Sequence, residues 1–267
     1  MTTTLADLTR QVARLVTRTV IGSTTSAPSN ATQIIDTVNL AGFPDNQFVG
    51  GTAWITSGAN AGLSRTITAF LDSADRLTVA AFPSNIASGV TFEAAASDFV
   101  EYRDLRQAVN LALREIGKII AYNEDRESVA GTLVYDMPTG VSHVHAIEIV
   151  ENIGDPEETK EINTHWDERE GQLIFEPFRE PCADRTIRML YRVFHDEMYV
   201  DTDELSDQID AEYLVYLAAR QAMRLAYKRF GKAGNETIPE WLNEAIEETK
   251  KHIKPNQGSP RVRVRTA

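Results

Sequence analysis

The chain has almost no cysteine, and this absence excludes several ways of holding a fold or a site together. Cys182 is its single cysteine in 267 residues, so neither an internal disulfide nor a zinc site built of cysteines can form. No apolar run approaches the roughly 18 residues needed to cross a bilayer, and the polar start lacks a signal-peptide pattern. We therefore expect a protein that folds in a cytoplasm without a membrane partner.

Positive charge is also scarce along most of the sequence. The chain has 27 Lys and Arg against 39 Asp and Glu, a net charge of −12, and such a chain repels nucleic acid on average. The last eighteen residues are the exception, because they contain six basic residues and no acid: Lys250, Lys251, Lys254, Arg261, Arg263 and Arg265. A basic end on an acidic body predicts a docking segment for an acidic partner or a neighbouring copy.

The familiar catalytic motifs are missing. The sequence has no phosphate-binding glycine loop, no Gly-x-Ser-x-Gly elbow and no His-Glu-x-x-His pair. His143 and His145 would share one face of a strand and could bind a metal with His165, although ordinary strand histidines are the favoured interpretation. Asp201–Glu212 has the length of a calcium loop but carries Ser206 where glycine is needed, which favours an acidic turn before a helix.

The spacing of apolar residues predicts four helices. They are expected near residues 4–19, 99–122, 208–230 and 237–254. Ala218 and Ala222 of the third helix give it a small-residue face, which should pack closely against Ala108 and Ala112 of the second. This helix pair is predicted to form the core of the body.

Strand-like runs separated by turn residues occupy two other regions. The first region follows a linker at 22–31 and contains runs at 33–39, 52–57, 64–71, 76–80 and 90–93. The second contains runs at 132–135, 145–150, 173–175 and 186–193, with an exposed acidic loop expected at 154–170.

These patterns together predict an α+β fold, in which a helical body with an antiparallel β layer carries an inserted all-β module. The predicted domains are an N-terminal helix and linker (1–29), the inserted β module (30–96), the body (97–254) and an extended C-terminal docking tail (255–267).

The order of several motifs resembles that of the head-to-tail adaptor (connector) proteins of tailed phages. The stretches that carry this resemblance are 105–116, 135–141, 173–177, 187–192, 201–205 and 214–219. A second stretch, 43–93, is similar to a small β module inserted in phage structural proteins, notably at 51–52 and 56–67. The first set lies in a region that runs from 101 to 229, and this region and 43–93 together cover about two thirds of the chain.

The resemblance implies a structural protein of the virion neck, without enzymatic activity or a cofactor. It implies a homo-oligomeric ring, expected as a dodecamer, that assembles in the host cytoplasm beneath the portal protein and meets a downstream tail or nozzle protein. Genomic DNA would pass through the channel during ejection without sequence-specific binding, and an acidic wall would let it slide.

A docking role is predicted for the alternating residues near the C-terminus, Arg261, Val262, Arg263, Val264 and Arg265. An extended segment places the three guanidinium groups on one face and the two valines on the other. That pattern suits addition to an exposed sheet edge of the portal or of a neighbouring copy. A solvated tail without function and direct contact with DNA phosphates are the alternatives.

Two other functions remain open at this stage. The β insertion could belong to a tail-associated binding module that recognises a host glycan or receptor. An enzyme with an unrecognised carboxylate site is the third hypothesis.

Overall fold

The protein is mostly β, as a computed structural model shows. The structure describes residues 2–28, 30–97, 100–139, 141, 143–151, 159–177, 179, 181–229 and 238–252. Among the described residues, strands account for 33% and helices for 28%. The predicted helical body with a β layer and a small inserted β module is therefore wrong, because antiparallel sheets make up more of the fold than helices do. The chain divides into two compact units, unit 1 (2–116 with 196–252) and unit 2 (117–195).

Unit 1 contains a six-stranded antiparallel sheet that curls into a half-barrel. Its strands are β1 (Thr19–Ser23), β2 (Gln33–Ile35), β3 (Thr52–Ile55), β4 (Leu63–Leu71), β5 (Arg76–Val79) and β6 (Thr91–Ala95). They are ordered β1-β6-β3-β4-β5-β2. Strands β2 to β6 confirm the runs predicted there. The sheet nevertheless begins before the expected module, since β1 pairs with β6 and occupies part of the expected linker.

Apolar side chains fill the inside of the half-barrel. The largest fully buried ones include Ile34, Leu40, Phe48, Ile55, Ile67, Leu77 and Phe92. Phe48 packs edge-to-face against Phe70, with ring centroids 5.2 Å apart. Strand β5 alternates between half-buried and buried residues, as expected for a sheet with one face on a core.

The buried carboxylate of Asp36 links the two edge strands of this sheet. Asp36 directly follows β2, and its Oδ2 accepts a hydrogen bond from the backbone N–H of Ser23 in β1 at 3.1 Å. Gly22 is needed beside it, because a Cβ at this position would lie 2.2 Å from that same oxygen. A side chain at position 22 would therefore push the two edges apart.

Four helices complete unit 1: α1 (Leu5–Val16), α2 (Tyr102–Ile116), α3 (Ala211–Arg229) and α4 (Glu240–His252). The predicted packing of the second helix on the third is confirmed, and Ala108, Ala112, Ala218 and Ala222 are fully buried. Helix α1 packs on α2 and α3, and α4 packs on α3. No helix among the described residues is long and apolar enough to cross a membrane.

The amphipathic helix α1 is fastened at its start and along its length. A capping box of Thr4 and Asp7 satisfies its first backbone donors. Further along, Arg14 Nε donates to Glu93 Oε2 of β6 at 2.7 Å. Thr9 Oγ1 accepts a hydrogen bond of 3.2 Å from Trp54 Nε1 of β3. Helix and half-barrel are thus one structural unit.

Unit 2 consists of two antiparallel sheets around a second core. Its strands are β7 (Lys118–Glu127), β8 (Val134–Asp136), β9 (Val144–Glu151), β10 (Thr159–Asn163), β11 (Trp166–Arg169), β12 (Gln172–Phe175) and β13 (Thr186–Phe194). One sheet has the order β10-β9-β13-β7 and the other β11-β12-β8. Buried residues of both sheets form the core: Tyr135, Val144, Ile147, Ile149, Leu173, Phe175, Ile187 and Met189.

Two expectations about this unit are wrong. The second helix was expected to reach residue 122, but it ends at Ile116, because Gly117 takes a φ of +93° and the chain turns into β7. The segment 154–170 was expected to be a loop, yet its described part contains β10 and β11.

Candidate protein interaction surface

The residues that the sequence predicted to form sites are not brought together into one site by the structure. Arg261, Val262, Arg263, Val264 and Arg265 lie outside the described residues. Two of the three candidate histidines have separate carboxylate partners: His143 Nδ1 lies 2.8 Å from Glu168 Oε2, and His165 Nδ1 lies 3.1 Å from Glu176 Oε2. The Nε2 of His145 is buried without a hydrogen-bond partner. Within the described part of the chain, no three potential metal ligands come together.

The acidic turn before α3 is used for structure. Both oxygens of Asp201 accept hydrogen bonds of 2.7 Å from Ser64, one from its backbone N–H and one from its hydroxyl. Tyr102 Oη donates to Asp201 Oδ1, also at 2.7 Å. Burial, together with this bond, raises the pKa of the Tyr102 hydroxyl. Asp201 thus ties the half-barrel to α2, a role that the interpretation as an acidic turn before a helix did not include.

A groove lined by arginines lies between α2 and residues 197–199, just before Asp201. We call it the arginine groove, and the residues that define it are Arg103, Arg106, Asn110, Arg114, Glu197 and Tyr199. The three arginines and Asn110 lie three or four residues apart along α2, so they project from one side of the helix. Gln107 and Leu111 of α2 also line the groove.

Asn110 fixes the far wall of the arginine groove. Its side-chain amide donates to the carbonyl of Met198 at 3.0 Å, and its Oδ1 accepts from the Met198 N–H at 2.9 Å. The side-chain amide of Asn110 thus pairs with both backbone groups of Met198, as the backbone of an adjacent strand would. The side chain of Met198 is buried. Below it, Asp203 Oδ2 accepts from the N–H groups of Tyr199 at 2.5 Å and Val200 at 2.9 Å. The wall is therefore held at both ends.

The groove carries a surplus of positive charge. Arg114 forms an ion pair with Glu197. Arg106 Nη1 donates instead to the neutral carbonyl of Tyr199 at 3.1 Å, and Arg103 is exposed. The hydrogen bond from the Tyr199 hydroxyl, and then that from Arg114, hold the pKa of Glu197 below its usual value. Three arginines and one carboxylate, that of Glu197, thus line the groove.

Exposed apolar surface adjoins these charges. Tyr199 is 60% and Val200 57% exposed, although both backbones are fixed by Asp203. Tyrosine and arginine are enriched at the energetic centres of protein interfaces, where a large rigid side chain can be buried at small entropic cost. The arrangement suits the binding of an acidic protein surface.

The sequence contained a signal for this groove. Arg103, Arg106, Asn110 and Arg114 form a polar stripe at helical spacing on the face of α2 opposite its buried alanines. The other wall could not be inferred, because Met198 and Asn110 are 88 residues apart in the chain.

Comparison with known proteins identifies no relative. No model of a known protein family matches the chain, and no curated protein is significantly similar to it.

Proposed function

We propose that the protein is a structural subunit of a tailed-phage particle, a head-to-tail adaptor in the virion neck. It assembles in the host cytoplasm into a ring under the portal protein, joins the capsid to a downstream tail or nozzle protein, and lets genomic DNA pass. The arginine groove with Tyr199 and Val200 beside it is the observation that carries the proposal, since it is a preformed surface for a protein partner.

The groove suits an assembly protein because it needs little rearrangement to bind. Ordering flexible side chains and loops on association costs free energy, and a surface that is already ordered avoids part of that cost. Asn110 and Asp203 fix the wall that presents Tyr199. A subunit that must be added many times to one particle benefits from such a surface.

The proposal also draws on the motif order that resembles phage adaptors, but it does not depend on a helical body. The protein has more strand than helix, and the resembling stretches are distributed over both compact units. The C-terminal residues Arg261–Arg265 remain a proposed docking segment for the portal or a neighbouring copy.

Imaging the purified protein with and without its portal tests this function. We expect a ring of density on one face of the portal when both proteins are present, seen by negative-stain electron microscopy and as a larger species in sedimentation. An unrelated acidic protein of similar size serves as the control and should add no density. A protein that leaves the portal bare, or that binds glycans on an array but not the portal, would contradict the proposal.

A further inference from the structure

We propose that one face of the sheet β10-β9-β13-β7 in unit 2 binds single-stranded nucleic acid, an activity beyond the proposed adaptor function. We call the site the cationic-aromatic patch, and the residues that define it are Lys118, Tyr122, Arg192 and Phe194. Unpaired bases stack on its two aromatic rings, and the phosphates of the same strand meet its two cations.

Strand pairing places the patch on one face of the sheet. Antiparallel pairing of β7 with β13 forms three successive rows of side chains there: Lys118 with Phe194, Ile120 with Arg192, and Tyr122 with Leu190. Successive residues of a strand point to opposite faces, and Met189, which precedes Leu190, points into the core of unit 2. The three rows therefore lie on the face opposite that core.

These rows carry positive charge without a carboxylate among them. Lys118 and Arg192 are both exposed. The nearest acids of the same face lie beyond the three rows, and Glu124 and Glu148 are both paired there with Arg188. Unit 2 as a whole is acidic, with eight Lys and Arg against sixteen Asp and Glu in residues 117–195. A polyanion is thus repelled by most of unit 2 and attracted at the patch.

Both rings of the patch are exposed, and each has a cation beside it. Tyr122 is 61% and Phe194 52% exposed. The guanidinium of Arg188 lies 5.3 Å from the ring centre of Tyr122, and the ammonium of Lys118 lies 5.6 Å from that of Phe194. These cations leave more than half of each aromatic side chain accessible. A base that stacks on either ring therefore brings its phosphate close to a positive charge.

The spacing of the rings suits a single strand. Tyr122 and Lys118 are four residues apart on β7, a distance of roughly 14 Å in a strand, and Phe194 is the direct partner of Lys118. Arg192 lies in the row between the two rings, so a phosphate that links the stacked bases can meet its guanidinium. Aromatic residues on a sheet stack about two or three bases in this way. A duplex keeps its bases inside and could use only the cations.

The composition of the patch favours nucleic acid over a protein partner. The centres of protein interfaces are depleted of charged residues, and lysine is among the residues that interfaces use least. In the patch, Lys118 lies beside the ring of Phe194 and Arg192 occupies the middle row. The arginine groove differs in this respect, because it contains the carboxylate of Glu197, which would repel a phosphate.

Replacing the rings gives the first test. Binding of the full-length protein to a fluorescein-labelled oligothymidylate of about twelve nucleotides is measured by fluorescence anisotropy at about 50 mM salt. The variant Tyr122→Leu/Phe194→Leu keeps both positions apolar but removes the rings, so it should bind about tenfold more weakly or worse. The matched control Tyr122→Phe/Phe194→Tyr keeps both rings and should bind as the unchanged protein does. Circular dichroism confirms that the variants are folded.

Removing the cations gives the second test. Lys118→Gln/Arg192→Gln should weaken binding and flatten its salt dependence, because fewer counterions are released. The control Arg169→Gln/Arg179→Gln removes two exposed cations elsewhere in unit 2 and should leave the affinity for the oligonucleotide almost unchanged.

Four results would overturn the proposed site. They are an unchanged protein that does not bind the oligonucleotide up to about 0.1 mM, equal affinity for a duplex of the same length, controls that lose as much affinity as the patch variants, and a leucine variant that keeps its affinity for the oligonucleotide but loses the portal. The last result would make the patch a protein surface. Portal binding is measured without the oligonucleotide, so a failure of the site leaves the adaptor function standing.

Discussion

Asp36 is a buried charge that is stabilised entirely by hydrogen bonds. Its carboxylate accepts from the N–H groups of Val38 at 3.0 Å and Asn39 at 3.1 Å, from the Asn39 side chain at 2.8 Å and from Ser23. Burial raises the pKa of Asp36, but the hydrogen bonds from Asn39, Val38 and Ser23 outweigh it and leave the pKa below its ordinary value. The ionised form is therefore the one that holds β1 to β2.

The variant Asp36→Asn should destabilise the protein by about 2 kcal/mol at pH 7, because an amide nitrogen would face donors where a charged acceptor now lies. A lowered folded-state pKa contributes stability above the unfolded pKa, and that contribution disappears as the pH falls through the folded value. The difference between variant and parent should therefore shrink below about pH 4. Urea unfolding at pH 7 and pH 3 measures it.

The exposed Asp207 provides the control for this experiment. Asp207→Asn should change the free energy of unfolding by less than about 0.5 kcal/mol at either pH. Equal stability of Asp36→Asn and its parent at pH 7 would show that the carboxylate does not hold the two edges.

Core residues are the part of the structure that single-residue patterns predicted best. The apolar spacing that predicts the second and third helices places Leu113 and Leu217 on their inner faces, and both are buried. The spacing of apolar residues indicates only which side chains of a helix or strand face the interior. It does not record which distant group a polar side chain meets, so the bond of Asp36 to Ser23 and that of Asn110 to Met198 could not be foreseen.

Among the elements, α1 depends on the half-barrel for more than apolar packing. Glu93 is almost completely buried in β6 and accepts from Arg14, while Arg10 Nη1 lies 3.5 Å from its Oε1. A buried carboxylate of this kind is tolerated because two guanidinium groups compensate it. Removing the Glu93 carboxylate would leave Arg10 and Arg14 without their partner on the sheet.

Glu93→Ala is expected to lower the free energy of unfolding by about 1.5–3 kcal/mol, since Arg14 and Arg10 would lose a charged hydrogen-bond partner but remain accessible to solvent. Glu161→Ala, at an exposed position in β10, is the matched control and should have little effect. Chemical unfolding followed by far-ultraviolet circular dichroism provides the measurement. A loss below about 1 kcal/mol would mean that the pair behaves as a surface ion pair and does not fasten α1.

The elements that the sequence did not predict share a physical cause. Strand β1 is short and contains Gly22, which is typical of a linker, and only its pairing with β6 makes it a strand. The first residues of β7 continue the apolar spacing of α2, so the change at Gly117 was hidden. The acidic residues of β10 and β11 are typical of loops, and cross-strand pairing overrides that preference.

On the scale of the whole molecule, unit 2 is inserted into unit 1. Lys118 and Phe194, close to the two ends of unit 2, are direct partners in the ladder of β7 and β13. Partners in such a ladder have Cα atoms roughly 5 Å apart. A unit whose ends meet in this way can be removed without stretching the chain that carries it.

Replacing residues 117–195 by a short Gly-Ser linker should therefore leave unit 1 folded. The helical circular dichroism signal should persist, because all four helices belong to unit 1. Thermal unfolding should remain cooperative. Loss of the helical signal would show that unit 1 needs unit 2 in order to fold.

Deletion of residues 30–96, the module expected from the sequence, is the informative comparison. It would remove β6, the partner of β1, together with Glu93 and Trp54, which bond to α1. We expect this deletion to unfold unit 1, although the sequence predicts an inserted module with these bounds. The boundary at residue 30 was drawn from turn residues, whereas the contacts that define the sheet extend back to Thr19.

The bridge between Thr4 and Glu204 has a consequence for the protein as it leaves the ribosome. Leu5 N–H bonds to the carbonyl of Asp203, so this bond at the start of α1 can form only after a segment about two hundred residues later has been synthesised. At roughly 5–20 residues per second, that delay lasts on the order of ten seconds or more. During it, the half-barrel and then unit 2 can fold, while part of the apolar face of α1 waits for α3. Nascent chains of this protein should therefore be good clients for a ribosome-associated chaperone.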